Sequence, residues 1–196
     1  RTVAVQNARA LPNKFSLDRE GFAFVQHRSA VEDFYDDAEL TATYNAEAEA
    51  LVREYTGAPR ALVFDHTRRS SSQNIREAHN ARDPANGAHT DYTDWSACNR
   101  VSDVMGDAAE ALLAKRFAIV NVWRSTAGTI EEWPLALCAW ESVNDDDLHT
   151  VERRAYNRVG QTRHASYNAA NSWFYFPQMT REEAILIKNY DTITDG

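Results

Sequence analysis

The chain holds only two cysteines, Cys98 and Cys138, in 196 residues. They have no C-x-x-C spacing, which argues against a disulfide framework, a zinc ribbon or a thioredoxin-type redox pair. Both read as half-buried thiols. Glycine (7) and proline (5) are also scarce, and no internal repeat or low-complexity tract is present. No apolar run approaches the roughly 20 residues a membrane helix needs. Basic blocks are missing too. Lys plus Arg number 21 against 29 Asp plus Glu, a formal charge of −8. An acidic surface with no basic stripe makes nucleic acid and anionic membrane poor partners. No signal peptide is visible, so the cytoplasm is the expected compartment, and Arg1 in place of a methionine suggests a trimmed start. A homo-oligomer is left open.

What is present fits a globular chain large enough for one substantial core, with 43% hydrophobic and 11% aromatic residues. "GFAFVQH" (21–27) reads as a strand. Ser29 and Glu32 have capping-box spacing and predict a short helix. "NAEAEALVREY" (45–55) places Ala48, Leu51, Val52 and Tyr55 at helical spacing, with Gly57 and Pro59 to stop it. "ALVF" (61–64) predicts a short strand, and 68–89 a long polar loop. "DAAEALLAKR" (107–116) predicts a second helix. Five strand-like runs follow: 117–123, 134–140, 163–169, 173–176 and 185–190. Thr180 and Glu183 predict a helical turn before the last. This order, mixed first and then a run of short strands, favours a mainly β sandwich or barrel with flanking helices.

The chemistry centres on "GAHTDYTDWSACNRV" (87–101). In extended chain, residues i and i+2 project to one side, so His89 and Asp91 can meet on one ion while Thr90 points away. An H-x-D of this kind supplies two of the three ligands in the two-histidine, one-carboxylate triad of non-haem iron(II) oxygenases. The same pair can equally be a solvated loop carboxylate beside a histidine. If 117–123 is a strand, Phe117, Ile119, Asn121 and Trp123 share a face, and Asn121 and Trp123 line either a pocket or the core. Arg124 can be a rim arginine or a bidentate clamp on a carboxylate. His66 and His164 read as hydrogen-bonded histidines, with His164 the reserve third ligand. Lys188, alone in "ILIKNY", needs an anionic partner or a path to water. The Asn144–Asp147 run lacks the spacing of a calcium loop.

Taken together, "LDREGFAF", "VEDFYDD", "YTGAPRALVFDHTRR", "AHTDYT", "RFAIVNVWR", "PLALCAW" and "NSWFYFPQMTREEAILIKNYDT" resemble the CmcJ/NvfI/AsaB-like family. These are non-haem iron, 2-oxoglutarate-dependent oxygenases, many of them from secondary metabolism. The resemblance covers most of the chain and implies a double-stranded β-helix, or jelly-roll, core. It implies iron(II) as cofactor with His89 and Asp91 as ligands, 2-oxoglutarate as cosubstrate, and hydroxylation or desaturation of a small molecule. Asn121 and Arg124 are the expected cosubstrate contacts and Trp123 the expected substrate contact. Family members often carry histidine where this chain has Asn171 in "NSWFYF". The resemblance instead places the third iron ligand in a "PHTAF"-like segment after "ILIKNYD", followed by an arginine-bearing strand for the 2-oxoglutarate carboxylate. Both are expected beyond Gly196, so residues 1–196 read as one jelly-roll domain truncated at its C-terminal end. The competing expectation is a non-catalytic jelly-roll domain that binds a small molecule or pairs with an active partner.

Overall fold

The structure, a computed structural model, describes residues 1–12, 15–155 and 158–193; Gly196, the end of the expected domain, lies outside them. Nine strands form three sheets of three. The central sheet joins β2 (Phe22–Gln26), β9 (Glu183–Asp191) and β4 (Ala118–Arg124), all antiparallel, with β9 in the middle. A second sheet has the order β1 (Val5–Asn7), β8 (Trp173–Tyr175), β5 (Ala136–Cys138), with β1 parallel to β8. The third has the order β3 (His89–Thr90), β7 (Arg158–Ala165), β6 (Leu148–Ala155). The described residues thus give a mixed α/β fold with three small sheets, more helical than the mainly β reading.

The two faces of the central sheet explain the layering. Period-2 alternation sends Phe22, Phe24, Trp123, Ile185 and Ile187 to one side, against Leu137, Phe174 and Phe176 of the second sheet and Met179. Phe15 stacks on Phe22 with ring centroids 4.8 Å apart, and Phe24 on Phe176 at 4.6 Å. The intervening residues Ala23, Val25, Val120, Val122, Ala184 and Leu186 face the other way, onto Leu17, Leu51 and Val52. A sheet apolar on both faces needs covers on both, and here they are a sheet and a helix.

That covering helix begins earlier than the periodicity suggested. It opens at α1 (Asp37–Glu39), passes through a π-turn at Leu40–Tyr44 and runs on as α2 (Asn45–Thr56). Gly57, at φ +68°, closes it in the left-handed conformation that an L side chain adopts only with strain. The helix expected at 29–35 is absent. The Ser29 hydroxyl donates to the Glu47 carboxylate instead of capping, and Asp36 caps α1 by accepting from the Ala38 N–H. The expected strand at 61–64 is also absent, since the Val63 N–H goes to Glu49 Oε1 at 3.0 Å rather than to a neighbouring strand.

The polar stretch 68–89 is not one loop. It contains α3 (Gln73–His79), capped by Ser72, and its ends are tied by a bridge between Arg69 and Arg82. The helix predicted at 107–116 shrinks to α5 (Ala109–Leu113). A longer one precedes it, α4 (Asp94–Met105), which the sequence reading missed. Its signal was a capping box closed by serine rather than Glu or Gln: Thr93 Oγ1 accepts from the Ser96 N–H, and Ser96 Oγ accepts from the Thr93 N–H at 2.9 Å. Strand β6 was missed for a different reason. "LHTVERRA" has no apolar face and is extended because it pairs with β7 along its whole length. The turn expected at 180–183 is present, with the Thr180 N–H on Glu183 Oε2.

Candidate metal centre

Among the described residues the short strand β3 pairs with β7, where His89 lies directly opposite His164 and Thr90 opposite Arg163. The chain bends after Thr90, and the Asp91 N–H donates to Asn189 Oδ1 on β9 at 3.2 Å. Asn121 Nδ2, on β4, donates to Asp91 Oδ2 at 2.8 Å. Asp91 is therefore clamped from two strands of the central sheet while its Oδ1 stays free of those bonds. His89 is oriented as tightly. Its Nδ1 lies 2.8 Å from the Gly87 carbonyl oxygen, which can only accept, so Nδ1 carries the proton. Its Nε2 then faces Asp91 Oδ1 at 3.4 Å.

The electrostatics follow from this contact. The hydrogen bond to Asp91 lifts the His89 imidazole above its ordinary value, against the opposing effect of burial. Burial pushes the Asp91 carboxyl up, but hydrogen bonds from His89 and Asn121, with the charges of His89 and Arg69, outweigh it and hold it low. A metal ion bound here would be held by His89 Nε2 and Asp91 Oδ1 and would compete with a proton for the imidazole.

The structure brings His89, Asp91 and Asn121 together. Trp123 lies on the Asn121 face of β4, partly buried against the aromatic core. Arg124 is on the other face. It is 8% exposed, and its Nη2 donates to His27 Nδ1 at 2.7 Å, under the rings of Phe34 and Tyr44. His164 stacks beside His89 at 5.6 Å between ring centroids. Its Nε2 and the Thr162 hydroxyl, two residues along on the same strand face, are buried with no hydrogen-bond partner. The sequence offered His164 only as a reserve ligand and had no signal for Thr162, because the β3–β7 register creates this neighbourhood. Among the described residues no group of three or more His, Cys, Asp or Glu side chains is arranged to hold a metal, so His164 does not complete a triad with the pair.

The remaining candidates are structural. His66 Nε2 is 2.8 Å from Asn45 Oδ1. Lys188 pairs with Asp18 and Asp191. Asn171 sits in the turn before β8, with its N–H on the Asn168 carbonyl. Asp145–Asp147 form a 3-10 turn capped by Asn144. Both cysteines are free and partly buried.

The whole chain, residues 1–196, matches a family described as an oxidoreductase/YMDC permease-like domain. The chain belongs to this oxidoreductase family. It is 32% identical to hydroxylase/desaturase CTB9 of Cercospora beticola, over 100% of this chain and 67% of that protein. It is 29% identical to the Fe(II)/2-oxoglutarate-dependent dioxygenase nvfI of Aspergillus novofumigatus, over 97% of this chain and 70% of that one. The solved structure of the iron and alpha-ketoglutarate-dependent endoperoxidase NvfI, as its W199F variant, superimposes with a TM-score of 0.87 at 28% identity, covering 97% of this chain and 70% of that chain. The resemblance to the NvfI-like oxygenases therefore holds over nearly the full chain. No helix among the described residues is long and apolar enough to cross a membrane.

In this family member, Asn121 tests how the pair is held. Removing its side chain by Asn121→Ala leaves Asp91 anchored only through its backbone N–H. Side chains that hydrogen-bond to a metal ligand and orient it are worth about 10–100-fold in metal affinity. An iron(II) dissociation constant for Asn121→Ala within twofold of the unmodified protein would show that Asn121 does not orient the ligand.

Proposed function

We propose that the chain is the iron-binding part of an iron(II)/2-oxoglutarate-dependent oxidoreductase, a hydroxylase or desaturase acting on a small molecule in cytoplasmic secondary metabolism, and that its sheets belong to one jelly-roll domain. The observation that carries the reading is the convergence of His89 Nε2 and Asp91 Oδ1, 3.4 Å apart, each fixed from behind. An ion between these two atoms would be held by one imidazole nitrogen and one carboxylate oxygen. A neutral imidazole with its other nitrogen on a carbonyl, beside a carboxylate, suits iron(II) in a facial triad. Among the described residues no third His, Cys, Asp or Glu side chain joins this pair.

Bound iron(II) with 2-oxoglutarate and oxygen supplies an oxidant able to remove hydrogen from an unactivated C–H bond. The residues of this chain do the holding. Gly87 fixes the His89 tautomer, Asn121 and Asn189 aim Asp91, and Trp123 walls the substrate side and helps exclude water. The unpartnered His164 and Thr162 atoms beside His89 suit an oxygen-bearing ligand.

Anaerobic titration of the full-length protein with iron(II), with and without 2-oxoglutarate, tests the reading. A metal-to-ligand charge-transfer band that requires both is the expected result. Its complete absence would leave the non-catalytic binding domain as the better account. The His89 proton competes with the metal, and Asp91 raises its affinity. Iron(II) uptake should therefore weaken as the pH falls through the lifted His89 value, and strengthen as it rises above it. Uptake unchanged across that range would mean that His89 is not a ligand.

A further inference from the structure

Arg124 presents a charge imbalance that the metal centre does not explain. It ends β4, where Val122 and Arg124 point away from Asn121 and toward α2. At 8% exposure its guanidinium is inside the protein, yet no carboxylate pairs with it among the described residues. Only Nη2 is satisfied, by His27 Nδ1 at 2.7 Å and the His27 carbonyl at 3.1 Å. Nε and Nη1 are buried without an acceptor. Beside them the Tyr44 hydroxyl, on a residue 6% exposed, is also buried; its oxygen faces the guanidinium, and its own proton has no acceptor. The walls are aromatic: the Arg124 Cζ lies 5.3 Å from the Tyr44 ring centroid and 5.6 Å from that of Phe34.

His27 cannot supply the missing charge. Burial and the Arg124 charge both push its imidazole below the ordinary value, which keeps it neutral. Glu47, the nearby acid, acts on His27 and Tyr44 through its charge but makes no hydrogen bond to Arg124; its oxygens accept from Ser29 Oγ and the Ala30 N–H. Ring faces attract the cation but accept no conventional hydrogen bond. A buried guanidinium with unbonded Nε–H and Nη1–H groups beside a buried hydroxyl is rich in donors, carries one positive charge, and has the phenol oxygen as the acceptor facing those groups.

We propose that Arg124 and Tyr44 form a binding site for a small inorganic anion of halide size, enclosed between β4 and the helical segment 37–56. The ligand neutralises the guanidinium and accepts from it and from the Tyr44 hydroxyl. A small monoanion matches one guanidinium and one hydroxyl; Arg181, over the Phe34 ring at 5.3 Å, turns its Nη2 to the Val31 and Glu32 carbonyls instead. The site lies on the opposite face of β4 from Asn121 and Asp91, so it is independent of metal loading.

Thermal unfolding tests this in sodium gluconate, whose anion is too bulky to enter, with chloride replacing gluconate at constant ionic strength. The expected result is a saturable rise in Tm of several degrees for the unmodified protein. Tyr44→Phe keeps the ring and removes one donor, and should shift the midpoint of that rise at least tenfold to higher chloride. Arg124→Met should abolish the rise. If that variant does not fold, excess 35Cl line broadening by the unmodified protein, reduced in Tyr44→Phe, carries the same information. A Tm indifferent to the exchange would mean that water satisfies the donors, and would overturn the proposal. So would an unchanged midpoint in Tyr44→Phe, or stabilisation by 2-oxoglutarate but not by chloride, which would make Arg124 a dicarboxylate clamp.

Discussion

Asp91→Ala and His89→Ala are each expected to lower iron(II) affinity by orders of magnitude, below measurable uptake at micromolar protein. A facial triad has no spare ligand. Removing Asp91 also strips the charge that holds His89 in place, since Asp91 Oδ1 is what His89 Nε2 faces. Asp91→Asn is the informative control: it keeps the size and the backbone contact to Asn189 but loses the charge. Iron stoichiometry measured after anaerobic loading and desalting decides the matter. Unchanged stoichiometry in both alanine variants would reduce the H-x-D to a polar turn. Thermal unfolding should stay close to normal in all three, because neither side chain is part of an apolar cluster. Loss of iron without loss of fold is the signature of a metal ligand.

The largest effect on stability is expected at Phe22. It is 1% exposed, stacks on Phe15 and meets Phe176 edge-on, at the junction of the central and second sheets. Phe22→Ala should cost about 3–5 kcal/mol, lost transfer energy plus a cavity that β2, paired along its length with β9, cannot close. That is a large share of the roughly 5–15 kcal/mol by which a typical native protein is stable. Denaturant unfolding should show a lower midpoint at an unchanged slope, and Phe22→Leu should recover more than half of the loss. A cost below about 1 kcal/mol for Phe22→Ala would mean that the two sheets do not share the core assigned here.

Much of the candidate site was legible because it depends on short-range geometry. His89 and Asp91 face each other because residues two apart in extended chain point the same way, and Asn121 and Trp123 share a face for the same reason. The strands at 22–26, 118–124 and 183–191 and the helix at 45–56 carry enough apolar periodicity to announce themselves. Ser29–Glu32 has the same local grammar as a real helix start and failed because Glu47, 18 residues on, offers Ser29 a better acceptor. Strand β6 has no such grammar at all.

The residues of this chain by themselves determined which groups could meet a metal, where the main helix ends, and which strands are apolar on both faces. Those properties are settled within a few bonds of each residue. Tertiary structure alone decided what lies across each strand. The β3–β7 register set His164 beside His89, Asn189 of β9 came to rest on the Asp91 backbone, and Arg124 turned inward beneath Phe34 and Tyr44. Partners distant in the chain are chosen by the packing of whole sheets and helices, and no local spacing encodes that choice.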